Sequence, residues 1–226
     1  MGKALFITGT GTDIGKTYVT GLIVKKLVDA GLRAGYYKAA LSGAETLADG
    51  TLLPGDALHV AQIAGLAAED ASVSYIYRDA VSPHLAAQIE NRPMDFDKVE
   101  QDFKQAQERT DYLTVEGSGG IICPLRWDDV EHVVLDDLVL RLGLSALVVA
   151  DAGLGTINAA VLTAEHLRMR GIPLKGFIFN NWQGGTMQED NVKMVEALTG
   201  VRVLVCVEHG AVELPMAVDA LAALYD

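Results

Sequence analysis

Residues 4–20 read Ala-Leu-Phe-Ile-Thr-Gly-Thr-Gly-Thr-Asp-Ile-Gly-Lys-Thr-Tyr-Val-Thr. An apolar run breaks into a loop of glycine and threonine, and a helical pattern then opens with Gly15-Lys16-Thr17. This order of strand, small-residue loop, Gly-Lys-Thr and helix is typical of a phosphate-binding P-loop. Backbone N–H groups in such a loop point at a phosphate, and the helix dipole favours its negative charge. The nucleotide-binding residues predicted here are Gly11, Thr12, Asp13, Ile14, Gly15, Lys16, Thr17 and Tyr18.

The spacing of the loop departs from the usual G-x-x-x-x-G-K-[ST] pattern. Thr10 stands where the first glycine belongs, so the loop counted from Gly9 is one residue longer. A glycine-rich turn of any α/β protein is the alternative, but Gly-Lys-Thr in this context favours phosphate binding. Lys16 is then predicted to reach the outer phosphates, and the Thr17 hydroxyl to ligate the Mg²⁺ that they carry.

Composition limits the classes of partner. The chain has 226 residues, half of them hydrophobic, and a net charge of −12 from 30 acidic and 18 basic residues. This length suits one large α/β domain, residues 1–226. The charge argues against nucleic acid or an anionic membrane surface as a partner. No secretion signal or membrane-length apolar run is recognised, so a cytoplasmic protein is predicted. The two cysteines match no metal spacing and no disulfide framework.

Strand-like apolar runs alternate with helical patterns along the whole chain. Strands are predicted at 4–8, 33–38, 111–116, 145–150, 174–180 and 202–207. Helices are predicted at 16–30, 56–65, 96–109, 135–142, 157–170, 188–199 and 216–225, with Gly31, Gly171 and Gly200 placed as C-terminal caps. This alternation predicts a mostly parallel sheet with helices on both faces, of the P-loop NTPase type. Ligands of such sheets bind beyond the carboxyl ends of the strands.

Charged side chains stand at two of those strand ends. Lys38 ends the second predicted strand, where it is either a surface lysine or a second cation for anionic reactants. Glu116 ends the third predicted strand and precedes a glycine-rich turn, which is the layout of a Walker-B-type carboxylate holding Mg²⁺. Asp56 opens a helical pattern after Pro54-Gly55, and there an N-cap is favoured over a metal ligand.

Two later strand ends admit two interpretations each. The loop 151–156 is rich in glycine and precedes a helix, so its free N–H groups suit a carboxylate or phosphate, or the loop is a plain turn. Asn180 follows the next strand, where its amide either reads a base edge or forms an Asx turn. His84 lacks metal partners and is interpreted as a cap or packing residue.

Ordered segments that span most of the chain carry a family resemblance. They are Thr8-Gly9-Thr10 through Gly15-Lys16-Thr17, Gly35-Tyr36-Tyr37-Lys38 with Ser42-Gly43, Asp56-Ala57-Leu58, Ser82-Pro83-His84, Val115-Glu116-Gly117 with Gly119-Gly120, and Leu154-Gly155-Thr156-Ile157-Asn158 with Leu162-Thr163-Ala164. A P-loop alone is generic, but the whole set resembles the dethiobiotin synthetases of biotin synthesis.

That resemblance implies an ATP- and Mg²⁺-dependent ring closure of 7,8-diaminononanoate with CO₂, through a carbamate and a carbamic–phosphoric anhydride. It also implies a homodimer with its sites at the interface. By motif position, the implied catalytic residues are Lys38, Lys16 and Thr12, and the implied metal residues are Thr17, Asp56 and Glu116. The implied substrate residues are Thr12, Asp13, Lys38, Ser42, Gly155 and Asn158, the last two from the neighbouring subunit. Glu116 and Asn180 complete the nucleotide site, with Asn180 at the position that reads adenine.

Three departures from the family pattern concern the rims of the site. Ala39 replaces the usual proline after the strand-end lysine, the helix predicted at 188–199 lacks a tyrosine for the substrate tail, and the strand end at 205–210 lacks its usual proline.

Two other classes share parts of the pattern. A cobyrinate diamide synthase-like amide ligase shares the loop and the acidic strand end, but normally carries a glutaminase domain. A ParA/MinD-like regulatory ATPase carries an early lysine in the loop, whereas residues 9–14 contain none.

Overall fold

A computed structural model describes all residues, Met1–Asp226. The strands are β1 Lys3–Gly9, β2 Ala34–Leu41, β3 Glu45–Thr46, β4 Leu52–Leu53, β5 Ala71–Ile76, β6 Tyr112–Gly120, β7 Pro124–Trp127, β8 His132–Val134, β9 Ala146–Asp151, β10 Leu174–Trp182 and β11 Val203–Glu208. The helices are α1 Lys16–Asp29, α2 Gly55–Ala64, α3 Pro83–Ile89, α4 Phe96–Arg109, α5 Leu135–Arg141, α6 Thr156–Arg170, α7 Thr186–Thr199 and α8 Val218–Ala222.

Seven strands form one parallel sheet in the order β11-β10-β9-β1-β6-β2-β5. The first strand therefore lies at the centre, and its carboxyl end delivers the P-loop to the middle of the sheet edge. The hairpins β3–β4 and β7–β8 form two separate small antiparallel sheets. No helix combines the length and the apolarity needed to cross a membrane.

Both faces of the sheet are buried, as the near-continuous apolar strands predict. Alternate residues of one strand point to opposite faces, so Ala146, Val148 and Ala150 join one core while Leu147 and Val149 join the other. The first core contains side chains of α4, α5, α6 and α7, and the second contains side chains of α1, α2 and α8. The predicted parallel α/β sheet with helices on both faces is confirmed.

All of the predicted strands and helices are present, with ends shifted by a few residues, but some elements are new. The edge strand β5 was not predicted, because its sequence, Ala-Ser-Val-Ser-Tyr-Ile, is not an apolar run of the kind that identified the other strands; most of its residues are half-buried. The short hairpins and α3 also lie outside the predicted set. The helix predicted at 216–225 shrinks to α8, Val218–Ala222. Gly171 and Gly200 adopt the left-handed conformation at the C-terminal caps of α6 and α7, as predicted.

Candidate active site

A pocket of about 340 Å³ opens at the carboxyl ends of β1, β2 and β6, and no hydrophobic side chain lines it. Its lining residues are Thr12, Asp13, Gly15, Lys16, Thr17, Lys38, Ser42, Asp56, Glu116, Ser118 and Gly119. Nine of these were predicted as site residues from the sequence; Ser118 and Gly119 were noted only as part of the turn after Glu116. The sheet topology brings the nine together because β1, β2 and β6 are neighbours.

The P-loop leaves the start of α1 open to an anion. Gly15 caps the helix in a left-handed conformation (φ 85°), and no side chain bonds to the free N–H groups of the first turn. Lys16 lies back over the loop and donates to the Gly11 carbonyl at 2.8 Å. Burial lowers the pKa of Lys16, and the nearby Lys38 lowers it further, against the raising effect of Glu116 and Asp56. The arrangement suits a phosphate, because a bound phosphate would give the Lys16 ammonium a negatively charged partner.

Two glycines of the loop are packed too closely against other side chains to be replaced by a larger residue. A Cβ on Gly15 would stand 2.1 Å from Asn180 Nδ2, and one on Gly9 would stand 2.8 Å from Lys16 Cδ. Asn180 is buried and donates from Nδ2 to the Ile14 carbonyl at 2.9 Å. Asn180 therefore supports the loop from β10, and its Oδ1 is buried without a hydrogen-bond partner. The predicted contact of Asn180 with a base stays a prediction.

Lys38 forms the centre of a buried charge cluster. Its ammonium donates to Asp56 Oδ2 at 2.6 Å and to Glu116 Oε1 at 2.7 Å. Lys38 and Glu116 are register partners on β2 and β6, so the sheet itself places them side by side. Thr17 donates its hydroxyl to the same Glu116 Oε1 at 2.9 Å. Burial lowers the pKa of Lys38, but the two carboxylates outweigh that effect, and the net pKa is raised. Lys38 is therefore positively charged at neutral pH.

The preferred interpretation of Asp56 as an N-cap is wrong. Helix α2 begins at Gly55 with Pro54 as its cap residue, and no side chain caps it. Asp56 is already the second helical residue, past the position from which a side chain can cap. Its carboxylate instead points to Lys38, a partner that only the tertiary structure brings near.

The oxygen donors of this cluster fit a hard divalent cation. Glu116 Oε2 is buried and has no partner, Asp56 is partly open to the pocket, and Thr17 adds a hydroxyl. Oxygen ligands of this kind, completed by phosphate oxygens and water, are typical of Mg²⁺ bound beside a nucleotide. No group of three or more His, Cys, Asp or Glu side chains in the chain could hold a metal. A metal here would therefore depend on oxygens from a second ligand.

Several predicted residues lie outside the pocket lining. Gly155 caps α6 in a left-handed conformation, and both it and Asn158 are exposed to solvent. Tyr18 donates its hydroxyl to the Ala211 carbonyl, which ties α1 to the segment after β11. His84 contacts the Ser82 hydroxyl at 3.0 Å and lines a separate cleft beside Trp127, in keeping with a packing role.

Tyr36, which was not predicted as a site residue, is fully buried on β2 next to this cluster. It stands two residues ahead of Lys38, and alternation along a strand places both side chains on one face. That spacing was the available signal, but its meaning depends on the pairing of β2 with β6.

Known proteins resemble the chain at two levels. The family model described as "AAA domain" matches residues 3–212. An "ATP-dependent dethiobiotin synthetase BioD" of Brachyspira hyodysenteriae is 48% identical over 216 residues, which cover 95% of this chain and 96% of that protein. A protein of the same name from Clostridium botulinum is 42% identical over 219 residues, 96% of each chain.

Solved structures extend the likeness to the fold alone. A ParA family ATPase of Chlorobium tepidum superposes with a TM-score of 0.57 at 13% identity, covering 92% of this chain and 84% of that one. The 54 kDa signal recognition particle protein of Aeropyrum pernix gives a TM-score of 0.57 at 17% identity, covering 98% of this chain and 45% of that one.

Proposed function

Because the chain belongs to the ATP-dependent dethiobiotin synthetases, we propose that its strand-end pocket joins ATP to a carbamate of 7,8-diaminononanoate and closes the ring of dethiobiotin. The family predicted from the motifs is confirmed. The ParA-type structures are only distant relatives in fold. The observation that carries the assignment of the site is Lys38, a buried cation that shares one polar pocket with Lys16.

The chemistry requires two anions to meet. One amine of the substrate adds to CO₂ and loses a proton, which gives a carbamate. A carbamate oxygen then attacks the γ-phosphorus and displaces ADP, and the second amine attacks the resulting anhydride carbon, loses a proton and releases phosphate. The repulsion between carbamate and triphosphate is lowered by cations placed beforehand.

The residues of the pocket divide this work. The open N-terminus of α1 holds the phosphates, and Lys16 exchanges its contact with the Gly11 carbonyl for an outer phosphate oxygen. Lys38 faces the carbamate and the γ-phosphate. Thr12 and Asp13 are exposed on the loop and, with Ser42, face the diamine side.

Thr17, Asp56 and Glu116 would hold the Mg²⁺ of the nucleotide. A metal held by these residues would supply positive charge to the phosphate oxygens. These three side chains are joined to one another through hydrogen bonds and the Lys38 ammonium. Glu116→Gln should therefore raise the Mg²⁺ concentration needed for half-maximal activity, and an unchanged metal titration would assign Glu116 to the turn alone.

A homodimer accounts for the residues left outside the pocket. Gly155 and Asn158 lie on the surface beside Leu154, and helix spacing places the exposed Leu162 and Met169 on the same face of α6. An exposed apolar stripe beside predicted substrate residues is the kind of surface that a partner covers. We propose that a second copy covers this face and that each copy brings Gly155 and Asn158 to the substrate carboxylate of its neighbour. The predicted cytoplasmic location and the predicted lack of a nucleic-acid partner stay predictions.

Sedimentation tests the dimer. Leu162→Asp should shift the wild-type dimer to monomer and weaken diamine binding, while Val130→Asp, at an exposed apolar site on the β7–β8 hairpin, should change neither. A wild-type monomer at micromolar concentration, or a dimer that survives in the Leu162 variant, would contradict this interface.

The activity is tested by supplying diaminononanoate, bicarbonate, Mg²⁺ and ATP and measuring dethiobiotin by mass. ATP turnover without product, and indifferent to the diamine, would reject the function. Lys38→Ala should abolish product formation while nucleotide affinity stays largely intact. Lys25→Ala, which removes an equal charge from the outer face of α1, is the matched control. If nucleotide affinity collapses with activity in a Lys38 variant that circular dichroism shows to be folded at the assay temperature, Lys38 belongs to the nucleotide site instead.

A further inference from the structure

Tyr36 is a fully buried tyrosine beneath the charged cluster. Its position on β2 pairs with Thr114 on β6, and two residues further along each strand Lys38 pairs with Glu116. Side chains two apart on a strand share a face, and long side chains reach diagonal neighbours on the adjoining strand. The register therefore directs the Tyr36 ring along β6 towards Glu116.

Two buried polar atoms at this place have no hydrogen-bond partner: the Tyr36 hydroxyl and Glu116 Oε2. The other oxygen, Oε1, is the one that accepts from Lys38 and Thr17. A buried hydroxyl left unpaired costs stability, and phenylalanine would fill the same space without that cost. A tyrosine here is explained if the hydroxyl gains a partner in another state of the site.

The charges that act on the Tyr36 hydroxyl also place it near Glu116. Burial raises the pKa of the Tyr36 hydroxyl well above its ordinary value, and the negative charges of Glu116 and Asp56 raise it further. A tyrosine hydroxyl carries its proton at neutral pH and can donate one hydrogen bond. The charge of Glu116 thus acts on the Tyr36 hydroxyl, although the hydroxyl and Glu116 Oε2 are not hydrogen-bonded to each other.

We propose that Tyr36 is a positioning residue, whose hydroxyl donates to Glu116 Oε2 when the site is loaded and so holds Oε1 towards Thr17 and the metal. The proposal rests on the proposed function, in which Glu116 is a metal ligand. Without this donor, Glu116 could rotate about its side-chain bonds once Lys38 releases it. Groups that hydrogen-bond a ligating carboxylate commonly change metal affinity by about 10- to 100-fold.

Tyr37 supplies a matched control on the same strand. Its ring points to the opposite face, in the first core, and its hydroxyl donates to the Val99 carbonyl at 3.0 Å and contacts Ser74 at 2.8 Å. Tyr37→Phe therefore deletes a satisfied hydroxyl away from the pocket, whereas Tyr36→Phe deletes an unsatisfied one beneath it.

The experiment measures Mn²⁺ affinity in the presence of ADP by electron paramagnetic resonance, together with melting temperatures with and without the two ligands. Tyr36→Phe should weaken Mn²⁺ binding by about tenfold, leave the ligand-free melting temperature unchanged or higher, and reduce the rise that Mn²⁺ and ADP produce. Saturating Mn²⁺ should restore turnover. Tyr37→Phe should lower the ligand-free melting temperature and leave Mn²⁺ affinity unchanged.

Glu116→Gln separates the two hypotheses. If it lowers Mn²⁺ affinity and Tyr36→Phe adds no further loss in that background, the two residues act as one unit. If Glu116→Gln lowers the affinity but Tyr36→Phe alone does not, or if both tyrosine variants lower it equally, the positioning role of Tyr36 is wrong and the proposed function stands. If Glu116→Gln has no effect on Mn²⁺ affinity, the metal role of Glu116 fails, and the role of Tyr36 fails with it.

Discussion

Replacing Lys38 with methionine removes the cation between Asp56 and Glu116 while keeping a side chain of similar length. The loss falls unequally on its two partners. The Asp56 side chain is 37% exposed and can be hydrated by solvent, but the Glu116 side chain is 0% exposed. Glu116 would keep only the Thr17 hydroxyl as a donor. The stability of the variant therefore depends on the free-energy cost of leaving the Glu116 carboxylate buried without a cation.

Two estimates bound the cost. Removing one partner of a buried ion pair typically destabilises a protein by about 3–5 kcal/mol. A buried carboxylate can avoid part of that by taking a proton. Protonating a glutamate with an ordinary pKa near 4.3 at pH 7 costs about 3.7 kcal/mol, at about 1.36 kcal/mol per pH unit. We therefore expect the free energy of unfolding to fall by about 3–4 kcal/mol at pH 7.

The sign of the pH dependence follows from proton counts. A buried carboxyl that takes up a proton on folding, in place of the lost ammonium, makes stability fall as pH rises above about 4.3, the ordinary glutamate value. The deficit relative to wild type should thus shrink by about 2 kcal/mol between pH 7 and pH 5.5. Lys38 itself adds no pH dependence in this range, because its raised pKa keeps it charged.

Urea unfolding at the two pH values measures both quantities. Lys38→Met/Glu116→Gln, which removes the buried charge as well, should recover most of the loss at pH 7 and show no extra pH dependence. A deficit below about 1 kcal/mol, the range of exposed ion pairs, or one that does not change with pH, would show that solvent already screens the cluster. The claim that Lys38 is a buried structural cation would then be refuted.

Two further predictions concern the P-loop and the thiols. Gly15→Ala should abolish nucleotide binding and destabilise the fold by about 1–3 kcal/mol, because the new Cβ meets Asn180 Nδ2 at 2.1 Å in a left-handed backbone. Gly11→Ala, which meets nothing within 4 Å, should leave thermal stability unchanged, and equal losses in calorimetry would contradict the contact. Burial raises the pKa of Cys206 to about 11, so native-state alkylation should speed up about tenfold per pH unit from pH 8 to 10, and a flat profile would show that this thiol is not protected.

The sequence was sufficient for most of the fold because the central strands are buried on both faces. Continuous apolar runs such as residues 146–150 leave few alternatives to a strand inside a parallel sheet. The strand β5 escaped prediction for the opposite reason. At the edge of the sheet its side chains are only half-covered, and its serines are tolerated there. Continuous apolar runs therefore identify the buried central strands but not this edge strand.

The sequence could predict the site residues that stand at strand ends. It could not predict the contacts between them, because those contacts depend on how the strands pair. Lys38 and Glu116 could be placed near the pocket from strand ends alone. That they form a direct pair follows from their pairing across β2 and β6, which depends on the strand order. Asp56 was assigned to its own helix because local capping signals were the only ones visible. Its partner Lys38 is 18 residues earlier in the chain.

The charge balance of this cluster bears on the role proposed for Lys38. The side chains proposed to hold Mg²⁺ carry two negative charges, and the Lys38 ammonium lies 2.6 Å from Asp56 Oδ2 and 2.7 Å from Glu116 Oε1. A divalent cation beside the same carboxylates would repel this ammonium, because like charges at short separation repel each other. Under the proposed function, that repulsion would weaken the hold of the carboxylates on Lys38 and favour its contact with the anionic reactants. A chain of net charge −12 would in this way gain a local cation where two anions must meet.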